Sequence, residues 1–220
     1  MLRRIPQLFI GLFLYGIGIA FLLSSTLGNA PWDVLSQGIA RHVPLSFGVI
    51  TVLVSVVVLL LWLPLRQRYG LGTILNALLV GPSADVGLAL IPGFEPLWLR
   101  IVSFALGLVI VGMATGLYIG AQFGPGPRDG LMTGVHARTG RPIWLVRTAI
   151  EVAVVVIGWL LGGVVGVGTL VFALLVGPLC QFFMRVFAVQ LPERSPATGR
   201  IDPDADAGAL AFDEDENRAE

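Results

Sequence analysis

A stretch of eleven residues occurs twice in this chain, and that duplication restricts the fold more than any other feature of the sequence. The first copy is Gly28-Asn-Ala-Pro-Trp-Asp-Val-Leu-Ser-Gln-Gly38 and the second is Gly124-Pro-Gly-Pro-Arg-Asp-Gly-Leu-Met-Thr-Gly134. Gly28, Pro31, Asp33, Leu35 and Gly38 are matched by Gly124, Pro127, Asp129, Leu131 and Gly134, an offset of 96. The same offset relates Gly70, Gly72 and Thr73 to Gly166, Gly168 and Thr169, and it carries Ala77–Pro82 unaltered into Ala173–Pro178. Chance matches among Val and Leu do not hold Gly, Pro and Asp in one register over so long a span, so the chain is internally duplicated. The period is too long for a solenoid, which leaves two halves rather than an array.

Composition says what each half is made of. Hydrophobic residues are 55% of the chain and charged residues 13%, the balance of an integral membrane protein. Six apolar stretches, near 6–27, 46–64, 71–91, 97–122, 143–161 and 165–189, are long enough to cross a hydrocarbon core of about 30 Å, which takes about 20 residues. The repeated motif lies after the first stretch and again after the fourth. Each half therefore has three spans, and an odd number sends the second half in from the opposite face. The pattern predicts an all-α membrane protein, with six transmembrane helices in two inverted three-helix repeats and a short half-helix after the first span of each. The repeats cover residues 1–95 and 96–190. Residues 191–220, with Pro192, Pro196, Pro203 and nine acids, read as a disordered acidic cytoplasmic tail.

Arg3 and Arg4 ahead of the first span also fit a signal peptide. The equivalent stretch in the second half, Leu108 to Phe123, is internal, so the first span is read as retained. Nine Arg between Arg3 and Arg185 fall on one side of the six spans, whereas Arg41 and Arg100 fall on the other. By the positive-inside rule both termini are cytoplasmic.

Small residues recur every fourth position in the first span of each half: Gly16, Ala20, Ser24 and Gly28, then Gly112, Gly116, Gly120 and Gly124. On a helix each set makes one ridge that admits another backbone closely.

Each ridge leads into the motif. Pro31 or Pro127 suits the first helical position, and Asp33 or Asp129 follows in the first turn, where free N–H groups and the helix dipole favour an acid. That account needs no substrate. The functional alternative is a half-helix whose N-terminus and Asp face a polar cavity between the halves, since broken helices at matching places in two repeats point to a transport site. The candidate substrate-binding residues are Asp33, Asp129, Trp32, Arg128, Asp85 and Gln181. Asp85 lies inside the third span after Gly81-Pro82, and Gln181 is its counterpart. Arg147 and Glu151, four apart on a helix, are placed to pair.

Cys180 sits alone in an apolar run and reads as a packing residue. His42 and His136 lack a second ligand at metal spacing, so neither a metal nor any other cofactor is expected. No nucleophile and base pattern, phosphate loop or nucleic-acid cluster is present, and the chain is read as neither an enzyme nor a nucleic-acid binder. The partners expected are the bilayer and a small solute or ion, with oligomeric state left open.

The stretch from Gly28 to Gly38, followed by Gly70-Leu-Gly-Thr73 and Gly81-Pro82, resembles the YczE/YitT group of bacterial membrane proteins over almost the whole chain up to the tail. The resemblance implies a multi-pass protein of the bacterial cytoplasmic membrane and suggests transport, without naming a substrate. Two readings are carried forward: a secondary transporter or permease-like protein, and a membrane scaffold or accessory subunit that does not transport.

Overall fold

The computed structural model describes residues 3–187, so the acidic tail lies outside the described residues. The chain folds into α1 (Arg4–Ser25), α2 (Pro31–Ala40), α3 (Phe47–Leu65), α4 (Leu71–Leu90), α5 (Leu97–Gly120), α6 (Pro127–Thr139), α7 (Ile143–Leu160) and α8 (Val167–Phe187), with no strand among the described residues. Six of these helices have the length and composition of membrane spans, and they lie at the six places read from the sequence. The remaining two, α2 and α6, are the short helices opened by the repeated motif. Trp98, Trp144 and Trp159, in terminal turns of α5 and α7, are exposed, as expected for rings in a membrane interface. Residue 95 lies in the loop between α4 and α5.

In a bilayer the apolar effect does not distinguish lipid from protein, so helices associate through close packing. The small residues supply it. At the centre α1 and α5 cross antiparallel, with Gly11 against Ala114 and Leu117, and Gly18 against Gly107 and Val111. The predicted ridges then recruit one further helix each. Gly16 packs on Ser83 and Ala84 of α4, and Ala20 meets Gly87. Gly112 packs on Leu179 of α8, and Gly116 on Phe183. Leu12 and Ala20 of α1 have no exposed surface, and neither have Ala84 of α4 and Ala114 of α5, on the two helices packed against it.

The contacts between halves come in exchanged pairs at the offset of 96. Arg4 Nε donates to the Ala121 carbonyl at 2.9 Å, closing the end of α5, while Arg100 Nε donates to the Ser25 carbonyl at 2.8 Å, closing the end of α1. Gln7 Nε2 reaches the Leu117 carbonyl at 3.0 Å, and Ser103 Oγ the Phe21 carbonyl at 2.8 Å. The Gly72 amide donates to Phe123 at 2.8 Å, and the Gly168 amide to Leu27 at 2.9 Å. Backbone shape is exchanged as well. Gly28 has φ 127° and Gly124 has φ 116°, a region open to glycine, and each presses on the start of the last helix of the other half.

Candidate functional site

Each motif starts with a chain that leaves a span and turns back. Pro31 and Pro127 occupy the first turns of α2 and α6, where the missing N–H costs nothing. Each short helix then leans on the other half. Gly158 of α7 abuts Val34 and Leu35 of α2, and the Trp62 ring of α3 abuts Gly130 of α6. Trp62 is almost wholly buried, and its Nε1 donates to the Pro127 carbonyl at 3.0 Å, which ties the start of α6 to α3.

This crossing brings the first turns of α2 and α6 together. Arg128 of the second motif meets Asp33 of the first, with Nη1 at 3.3 Å and Nη2 at 3.4 Å from Oδ1. The same guanidinium stands 5.5 Å from the centroid of the Trp32 ring, within reach of a cation–π contact. Asp33 is 2% exposed, so its charge is compensated inside the protein rather than by water.

Asp129 lacks the equivalent partner. By the offset, the residue that would face it as Arg128 faces Asp33 is Trp32, an aromatic ring in place of a guanidinium. Its Oδ2 accepts from the Tyr118 hydroxyl at 3.3 Å, and the Gly126 backbone also hydrogen-bonds the carboxylate. Among the described residues no Arg or His lies within ion-pair distance of it.

Asp129, Arg128 and Trp32 line a cavity of about 280 Å³ together with Tyr15, Tyr118 and Phe172. Arg147 and Glu151 border it and pair with each other at 2.9 Å, as their spacing predicts. A second cavity of about 50 Å³ shares Tyr15, Tyr118, Arg128 and Asp129 with the first. Its own walls are the images of the first: Thr51 and Ser55 stand where Arg147 and Glu151 do, and Asn76 where Phe172 does. Among the described residues two buried side-chain atoms of residues lining these spaces have no hydrogen-bond partner, Trp32 Nε1 at the larger and Thr51 Oγ1 at the smaller.

The sequence candidates thus separate. Trp32, Arg128, Asp129 and Gln181 line the large cavity, whereas Asp33 stands behind Arg128 as its counter-charge. Asp85 borders neither cavity. It accepts from the Ser46 hydroxyl and, at 2.7 Å, from the Gly48 amide, so it ties α4 to the start of α3. Gly38 and Gly134 serve the helix contacts, the first against Gly158 and the second against Leu65 and Gln67. Cys180 also borders the large cavity. His42 bonds the Leu161 carbonyl and His136 the Arg141 carbonyl. Sequence reasoning missed Tyr15 and Tyr118; a hydroxyl-bearing ring within an apolar span was the available signal.

Residues 2–185 match the family of unknown function DUF6198. The chain belongs to that family. An uncharacterized protein of Haemophilus influenzae is similar to this DUF6198 chain, 39% identical over 186 residues, which is 84% of this chain and 85% of the relative. The uncharacterized membrane protein YczE of Bacillus subtilis is 30% identical over 176 residues, 79% of this chain and 82% of its own. The uncharacterized protein YyaS of the same organism is 29% identical over 181 residues, 80% and 90% of the two chains. The resemblance to YczE therefore holds over most of the sequence. No solved structure matches.

Proposed function

We propose that this protein is a secondary transporter or permease-like protein of the cytoplasmic membrane, whose solute site lies where the two motifs meet. The observation that carries the proposal is the approach of Arg128 to Asp33 at 3.3 Å beside a cavity lined by both halves. A duplicated motif used only to start two helices gives no reason for the two starts to converge on one polar space.

In this reading the halves are inverted repeats. The antiparallel crossing of α1 and α5 supports that relation, because the exchange of Gly11 and Ala114 for Gly107 and Gly18 is what a two-fold axis in the membrane plane produces. The short helices are then re-entrant. Leu27 stays at the start of α8, yet six residues later Asp33 reaches the second motif, so the chain dips between α1 and α2 and climbs out again along α2. Irregular backbone at such depth is tolerated where it is buried in protein or lines a cavity. The Arg distribution orients the protein with both termini in the cytoplasm. The large cavity and its small image flank the shared Asp129 and Arg128 from the two halves, an arrangement that alternating access could use. No catalytic step is assigned.

The test is solute flux in proteoliposomes with wild type, Asp33→Asn, Asp129→Asn and the double variant, with melting temperature measured alongside. The transporter reading expects flux in wild type and its loss in Asp129→Asn while that variant stays folded. Undiminished flux in the double variant means that the motifs are helix starts and the site lies elsewhere. No flux of any solute by a folded wild type favours the scaffold.

A further inference from the structure

We infer that the solute held at this cavity is a small organic monocation, an alkylammonium or quaternary ammonium. The inference rests on the reading of the cavity as a solute site and adds the charge and class of its occupant.

The charges around the cavity are two cations and three anions. Arg128 pairs with Asp33 and Arg147 with Glu151, which leaves Asp129 as the cavity carboxylate without an ion pair among the described residues, the two arginines acting on it only through space. A half-buried carboxylate without an ion pair is costly to desolvate further, and a cation from outside the chain offsets that cost. The exchanged architecture shows where the cation sits. Asp33 has the Arg128 guanidinium, itself 5.5 Å from the Trp32 ring, whereas the position that would face Asp129 holds Trp32, and both Asp129 and Trp32 border the cavity.

The rest of the wall selects an organic cation over a metal ion. Tyr15, Trp32, Tyr118 and Phe172 border the space, a lining whose π faces attract a weakly hydrated ammonium, and among the described residues no group of three or more His, Cys, Asp or Glu is placed to hold a metal ion. A volume of about 280 Å³ suits a molecule of a few carbon atoms around one nitrogen. Arg128 and Arg147 oppose a dication.

The experiment measures the melting temperature of the purified full chain against rising tetramethylammonium and n-butylammonium, with n-butanol, butyrate and sodium chloride as comparisons. Wild type should show a saturable rise with the ammonium probes alone. Asp129→Asn should weaken that response at least about tenfold. Trp32→Arg, which puts a guanidinium where the exchange at offset 96 would have one, should abolish the response; if that variant fails to fold, Asp129→Asn decides alone. Equal ammonium affinity in wild type and Asp129→Asn overturns the inference. A saturable response to butyrate, butanol or sodium without one to ammonium overturns the class of occupant but leaves a solute site in place. Absence of every response together with absence of flux removes the transporter reading as well.

Discussion

One of the six differences between the two motifs, Arg128 for Trp32, gives two matched aspartates different physical roles. Asp33 is an internal counter-ion, and removing its charge strands the Arg128 guanidinium in a space where it is 19% exposed. Asp33→Asn should therefore cost about 3 kcal/mol or more, the range for breaking a buried pair, seen as a clear fall in melting temperature. Asp129→Asn gives up a charge that no ion pair in the described protein holds and keeps an oxygen for the Gly126 amide, so its stability should change by less than about 1 kcal/mol in either direction. Equal destabilisation by the two would mean that Asp129 has a cationic partner in the folded protein. Asp85 belongs with Asp33 in kind: Asp85→Ala should destabilise by about 1 to 3 kcal/mol through the loss of its bond to the Gly48 amide, without touching solute binding. These distinctions were only partly legible in the sequence. The motif marked the right turns of the right helices, but a pairing across 95 residues depends on how deep each chain dips, which no local pattern records.

At the scale of the helices the sequence was far more readable. Long apolar runs bounded by Arg, Gly and Pro leave few alternatives for a span, and a Pro–Asp start fixes where a short helix begins. The ridges of small residues were also legible, because a spacing of four on a helix is a stripe whatever it later meets. Which helix each ridge receives was not, since α4 and α8 are nearly featureless apolar segments whose order around α1 and α5 is a tertiary fact. The ridges make a direct prediction. A Cβ at Gly116 would stand 2.7 Å from Phe183, whereas Val109 on the same helix is 43% exposed on the outer surface. Gly116→Ile should lower the yield of folded protein or its stability by about 3 kcal/mol or more, and Val109→Ile should leave both within about 0.5 kcal/mol. Equal tolerance, read by size-exclusion recovery and melting temperature, would mean that α5 and α8 do not pack there.

For the whole molecule, the account depends on two halves that enter the membrane from opposite faces and converge on one polar space. The duplication and the count of spans carried that idea in the sequence, while the exchanged contacts of Arg4 with Arg100 and of Gln7 with Ser103 give it atoms. Equivalent positions in the halves must then lie on opposite sides. Val43 and Thr139, related by the offset and exposed just beyond α2 and at the end of α6, are the places to ask. The measurement is labelling of Val43→Cys and Thr139→Cys, each in a Cys180→Ala background, by a membrane-impermeant maleimide on intact and on opened cells. The account predicts that Val43→Cys labels from outside and Thr139→Cys only after the cells are opened. Labelling of both from the same side would contradict it.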